Sequence, residues 1–360
     1  MQENTKNKII TIGFCIILLF TLIANIILKD KKISITERRK LAQFPEITIN
    51  KILSGNVMNR WEKYVEDQFV QRDLSRKIKT FWSLNVFKNQ DNNKLFEKDG
   101  AIYKMEYPLN ESNIKKSAKK IQEVYKKYMK NMKVYYSIIP EKNYYLKNDN
   151  HLKIDNNKVK QIMNEELKEL VYIDIVEELS LDDYYKTDIH WKQEKLNNVV
   201  NKIRINMGKN KVQENYEISN KGNFYGSYYG QLGINVEPDN LFILENETTK
   251  ESVTYNFETN EIGKIYDEKK SMDKYDIFLS GPTPLISIEN KKAQTDKELL
   301  LFRDSFGSSI APLLIENYSK ITLIDLRYIA NEQLEKYIDF NNQDVLFLYS
   351  VQVLNQNVLK

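Results

Sequence analysis

At 360 residues the chain exceeds one average domain, and 41% hydrophobic with 29% charged residues is the makeup of a globular protein with a core of its own. Its 54 basic and 50 acidic residues leave a net charge of only +4, which argues against a nucleic-acid binder. One cysteine, Cys15, and two histidines, His151 and His190, exclude an intrachain disulfide and a Cys-x-x-Cys redox pair, so neither a metal nor a cofactor is expected.

Residues 9–28 are almost continuously apolar, broken only by Thr11, Gly13, Thr21 and Asn25. At a helical rise this run matches the roughly 30 Å hydrocarbon core of a bilayer, which predicts one membrane helix within residues 1–32. The run is longer than the about 7 to 15 apolar residues of a signal peptide, and no small-x-small site precedes Lys29, so an uncleaved anchor is expected. Lys6 and Lys8 precede it, whereas Lys29, Lys31, Lys32, Arg38, Arg39 and Lys40 follow it. The positive-inside rule alone would keep the rest of the chain cytoplasmic, but a large domain can cross despite flanking charge.

Residues 33–112 read as a linker and a helical region. A polar linker over 35–48 ends at Phe44-Pro45, and 50–79 carries Ile52, Val57, Trp61, Tyr64, Val65 and Phe69 at helix-like spacing, which predicts one or two helices. Over 113–132, Ile114, Ala118, Ile121, Tyr125, Tyr128 and Met132 recur every three or four residues, an amphipathic helix with its lysines on the solvated face. The β-branched and aromatic run 134–139, closed by Pro140, predicts a strand, and 193–207 a helix. A turn-rich insertion of short β elements is expected at about 211–298. The last part alternates strand (299–302), helix (308–318), strand (321–326), helix (331–340) and strand (345–349). That alternation predicts an α/β domain over 113–360 with a parallel sheet covered on both faces.

Two motifs carry chemistry. Ser305, in Arg303-Asp304-Ser305-Phe306-Gly307, follows a buried strand and precedes a helix, so it sits where open α/β sheets place ligands. Amides at the helix start could supply part of an oxyanion hole; equally, serine is a preferred N-cap and could be capping. His190 follows Asp188 by two residues, a spacing that lets the carboxylate hold the imidazole locally, or that marks a structural histidine beneath aromatics. Together they offer a nucleophile, a base and an orienting acid in a chain with one other histidine. The loop 222–230 punctuates aromatics with glycine; Tyr228 and Tyr229 could stack on sugar faces or fill a core.

At this point the motifs show a resemblance. Tyr185-Lys186-Thr187-Asp188-Ile189-His190-Trp191 resembles the signature of the DHHW proteins, relatives of the alginate O-acetyltransferase SGNH-like domains. Residues 37–45 and 66–72 are similar to segments that open the family's exported domain, Ile139-Pro140-Glu141-Lys142 to its strand-ending Pro-x-Lys, and 303–307 and 324–328 to its downstream motifs. The resemblance implies an SGNH-hydrolase-like three-layer α/β/α domain outside the cytoplasm and a triad of Ser305, His190 and Asp188. Candidates for oxyanion or substrate contacts are Gly281, Gly307, Trp191, Tyr228, Tyr229 and Arg303. Three positions depart from the pattern: Ile189 replaces the first histidine of the tetrad, Arg303 stands where a glycine often precedes Asp-Ser, and Gly281-Pro282 replaces an expected Gly-Asn.

The implied function is O-acetyl transfer to a cell-surface or secreted polysaccharide through an acyl-serine. Its implied partner is a multi-pass membrane-bound O-acyltransferase that passes acetyl groups outward. An esterase with the same triad, and a non-catalytic polysaccharide-binding scaffold, are the alternatives.

Overall fold

A computed structural model describes residues 2–46, 48, 56–210, 215–268 and 271–360. Ile52 of the predicted helical stretch and residue 211, the expected start of the insertion, lie outside the described residues. The chain forms two compact units, one of residues 1–92 with 229–235, the other of 93–228 with 236–360.

In the first unit, helix α1 (Gln2–Ile27) is long and apolar enough to cross a membrane. Its polar interruptions are satisfied within the helix. The hydroxyls of Thr11 and Thr21 donate to the carbonyls of Asn7 and Ile17 at 2.9 and 2.8 Å, and the Asn25 amide donates to Thr21 at 2.8 Å. Such residues can therefore be carried in hydrocarbon without orphaned groups. Beyond a short hairpin (Ile33–Ser34 with Arg39–Lys40) come α2 (Asn56–Gln68) and α3 (Arg72–Phe81), the latter running on into a π-helical turn, Trp82–Val86. Glu37 and Asp67 gather Arg39, Arg72 and Arg76, with Asp67 accepting Arg39 through both carboxylate oxygens.

The second unit is built on eight strands: β1 (Val134–Ile139), β2 (Val171–Tyr172), β3 (Val253–Asn256), β4 (Glu261–Lys264), β5 (Leu285–Glu289), β6 (Glu298–Arg303), β7 (Lys320–Ile324) and β8 (Asp344–Ser350). They lie in the order β4-β3-β5-β7-β6-β8-β1-β2. The five from β7 to β2 are parallel; four of them are strands that the sequence predicts, and the short β2 is an addition. The other three are antiparallel and extend the sheet beyond that expectation. They arise in the turn-rich stretch, where β3 and β4 are joined by four residues, a connection that permits only an antiparallel pair.

Strict alternation in β6 divides the core. Leu299 and Leu301 face one layer with Val199, Val200 and Ile203 of α6 (Asn197–Asn206) and Ile310 and Leu313 of α7 (Phe306–Leu314). Leu300 and Phe302 face the other, with Ile114 and Ile121 of α4 (Glu111–Tyr128), Val159 and Ile162 of α5 (Asn156–Glu166) and Leu354 of α8 (Val351–Gln356). Each such buried side chain contributes about 1.5–3 kcal/mol, and the result is a three-layer α/β/α domain. The predicted helix at 331–340 is a 3₁₀ segment, Asn331–Lys336. A third cluster joins Tyr185 to Phe224, Leu241, Ile243, Tyr275 and Phe278 of the turn-rich stretch.

Candidate active site

Ser305 lies two residues beyond β6, at the carboxyl edge of the parallel half of the sheet, in right-handed helical geometry (φ −60°, ψ −25°). Its hydroxyl makes no capping bond to α7. Asp304 does that instead. One of its oxygens accepts the Phe306 amide at 3.1 Å and the other the Ser350 amide at 2.8 Å, which fixes the turn to the end of β8. The capping alternative for Ser305 is thereby removed, and the hydroxyl is left for another partner.

That partner is His190, whose Nε2 lies 2.7 Å from Ser305 Oγ. His190 Nδ1 lies 2.5 Å from Asp188 Oδ1. Because a carboxylate only accepts, Nδ1 carries the imidazole proton and Nε2 is left to accept from the serine hydroxyl. Asp188 Oδ1 also accepts the His190 amide at 3.0 Å, and Oδ2 accepts the Ser227 amide at 2.5 Å. Asp188 is fully buried and His190 nearly so, while Ser305 is half-buried. Three candidate residues from two segments far apart in sequence thus form one continuous hydrogen-bonded chain.

The loop carrying Asp188 and His190 is shaped by residues that no local pattern reveals. Tyr184 and Trp191 form an antiparallel bridge, which closes the loop, and the Lys142 ammonium donates to the carbonyls of Tyr185, Lys186 and Asp188 at 2.8, 3.1 and 3.1 Å. Burial pushes Lys142 down to about 7, against the pull of Asp188 and Asp239. Asp239 accepts the amides of Lys186 and Thr187, each at 2.8 Å. Gly226 approaches so closely that any Cβ there would overlap Asp188 Cβ and the Thr187 carbonyl. From the insertion, Tyr275 stacks on the imidazole at 3.9 Å and 11°, and its hydroxyl donates to Ser309 Oγ at 2.9 Å.

The remaining candidates take other places. Trp191 is fully buried, its indole N–H 2.8 Å from Ser309 Oγ, so it supports α7 from beneath. Tyr228 is buried over the Lys142 ammonium, 5.5 Å from ring centre to Nζ, so it is no exposed sugar platform. Tyr229 belongs to the first unit and is half-buried; the exposed tyrosine of this loop is Tyr225. The Gly307 amide donates to the Asp304 carbonyl at 3.0 Å and the Gly281 amide to Phe278 at 3.4 Å, so both expected oxyanion donors are engaged in turns. The Ser305 amide has no protein acceptor among the described residues. Arg303 is fully buried, points away from solvent toward Asp325 at 3.7 Å, and passes under Gly307, where a Cβ would collide with its stem. Ile189 is half-buried against the core and lines a small cavity with Glu141, Tyr228, Phe306 and Ser350.

The α/β/α sandwich, with its candidate residues at the carboxyl edge of the parallel strands, has an SGNH-hydrolase-like fold. Residues 116–324 match the profile of the DHHW protein family, and the chain belongs to that family. Among solved structures it is similar to a DHHW family protein from Eubacterium siraeum, with TM-score 0.62 and 17% identity over 74% of this chain and 95% of that one. It is also similar to PatB1 of Bacillus cereus, with TM-score 0.59 and 22% identity over 75% and 98% of the two chains. PatB1 bearing a sulfonyl adduct aligns with TM-score 0.59 and 21% identity over 74% and 96%. At these identities the likeness is one of fold. No curated protein sequence matches the chain.

Proposed function

We propose that this protein is an extracytoplasmic O-acetyltransferase, held at the membrane by α1, that acylates a cell-surface or secreted polysaccharide through an acyl-Ser305 intermediate. The observation that carries the reading is the pair of contacts on one imidazole, 2.7 Å to Ser305 Oγ and 2.5 Å to Asp188.

Ser305 Oγ attacks the acyl carbonyl of the donor while its proton passes to His190 Nε2. Asp188 steadies the imidazolium. The oxyanion that forms is met by the Ser305 amide and by the positive end of α7. As the tetrahedral centre collapses, the donor's leaving oxygen takes the proton from His190 and departs, leaving the acyl ester on Ser305. A sugar hydroxyl then surrenders its proton to His190 and attacks that ester, and the proton returns to Ser305 as the acylated sugar leaves. Acetyl-CoA is a cytoplasmic donor, so a multi-pass membrane-bound O-acyltransferase is the partner this scheme needs on the other side of the bilayer.

The same chemistry makes Ser305 the target of sulfonyl fluorides, in keeping with the sulfonyl adduct of the PatB1 structure. The test is acyl-enzyme formation with an activated acetyl ester. The native chain is expected to gain one acetyl group by mass, and Ser305→Ala and His190→Ala to gain none; unchanged acetylation of Ser305→Ala overturns the proposal. Acetate release that oligosaccharide acceptors leave undiminished would identify an esterase instead.

A further inference from the structure

We propose that α3 and the π-helical turn that follows it form a second membrane contact, an interfacial helix whose apolar face sits in the headgroup boundary of the bilayer that α1 crosses. This rests on the reading of α1 as a membrane span.

The helix wears its amphipathic pattern inside out. Leu74, Ile78, Phe81, Trp82, Val86 and Phe87 recur at helical spacing along residues 72–87 and are all exposed, from 44% for Val86 to 69% for Phe87. The polar side of the helix is the one used for packing. Thr80 is buried and donates to the Leu232 carbonyl at 2.6 Å, and Arg76 donates to the Gly230 carbonyl at 2.8 Å and pairs with Glu37. A helix fastened by its polar face and left bare along an apolar stripe of roughly 22 Å is the reverse of what water selects, and such a stripe requires a cover.

Its position in the unit names the cover. The Val70 amide, two residues before α3, donates to the Asn25 side chain in the last turn of α1 at 2.8 Å. The Lys31 amide donates to Gln68 at 2.9 Å, and the Tyr64 hydroxyl to Asp30 at 3.1 Å. Helix α3 therefore starts at the level where the membrane helix leaves the hydrocarbon. The border has the composition of an interface. Phe44 packs on Trp61 and Tyr64 of α2 in an aromatic cluster with ring centres 5.4 to 5.8 Å apart, and Lys77, Lys79 and Lys88 are exposed along α3 and just beyond it. Aromatic rings at headgroup depth with lysines flanking an apolar helix face favour a lipid surface carrying anionic headgroups.

The three tryptophans and the lone cysteine make the test direct. The full chain carrying Trp61→Phe, which retains Trp82 and the fully buried Trp191, is reconstituted one copy per nanodisc of phosphatidylcholine and phosphatidylglycerol. Lipids bearing a nitroxide near the head of the acyl chain are expected to quench the Trp82 emission by about twofold, and adding Trp82→Phe is expected to abolish that quenching. An environment-sensitive dye on Cys15, inside the apolar run, reports separately whether α1 spans the disc. If the dye reports hydrocarbon while Trp82 stays unquenched and open to iodide, the interfacial helix is refuted and the span stands. If the dye reports water, the span fails and this inference with it. Trp82 protection that appears only with two copies per disc would assign the stripe to a second copy and overturn the lipid assignment.

Discussion

Two residues outside the Ser305, His190 and Asp188 set shape the loop that carries Asp188, and each can be tested. Gly226 leaves no room for a side chain against Asp188 and Thr187, so Gly226→Ala displaces the carboxylate from His190. We expect acylation of Ser305 to fall by about 10²-fold or more, since a shift of this size in a positioning group costs on that scale, and the melting temperature to fall as well, because the clash is with backbone. Lys142 gives a pH signature. Burial brings its ammonium down to about 7 although Asp188 and Asp239 oppose the shift, and three carbonyls depend on its protons. As pH rises through about 7 the loop loses a donor, so acylation should show an alkaline decline there that Lys142→Met lacks, at a lower rate throughout. Stability runs the other way. Between that value and the ordinary lysine range the unfolded chain holds more protons than the folded one, so the cost of burying the ammonium is full below about 7 and relieved above it. The triad itself was legible because histidines are scarce and Asp188 lies two residues from one of them. Lys142 entered only as part of a resembling Pro-x-Lys, and Asp239 and Tyr275 not at all, because they act through distant backbone groups and ring stacking that leave no local spacing.

At the level of elements, the long buried parallel strands were readable as short apolar runs, since both their faces are covered. The antiparallel edge was not. Strands β3 and β4 carry Thr, Asn, Glu and Lys on partly exposed faces and look like turn-rich insertion until β5 is there to pair with. The hairpin beneath α1 depends on charge rather than on apolar burial. Asp67 is held below the usual carboxylate range by the hydrogen bonds from Arg39, and Glu37 is held down by Arg72 and the fields of Arg76 and Arg39, which outweigh its burial. For groups lowered on folding, the stabilisation is complete above the ordinary carboxyl values, about 4, and is lost as pH falls through the depressed values. Acidification below about pH 4 should therefore loosen the hairpin 33–40 ahead of the sheet, visible as early amide exchange at Ala42 and Leu41, and Glu37→Gln should shift that loosening upward in pH.

For the whole molecule, the order of the strands is what joins Ser305 to His190. Strand β6 lies between β7 and β8, so the serine turn emerges inside the parallel half and not at its edge, and the loop from 184 to 191 reaches it from a part of the chain more than a hundred residues earlier. Labelling of Ser305 by a sulfonyl fluoride should therefore end at the same urea concentration at which the main sheet unfolds. In the chain with Trp61→Phe and Trp82→Phe, the emission of buried Trp191 reports that transition; labelling that persists beyond it would separate the site from the fold. The passage of Arg303 under Gly307 has a further consequence for how this sequence can diverge. A methyl group at 307 would meet the Arg303 Cβ itself at 2.4 Å, so any shorter side chain at 303 leaves the clash in place and only a glycine there lifts it. A lineage with any side chain at 303, charged or not, will therefore keep the glycine at 307, and one that gains glycine at 303 is released to vary there.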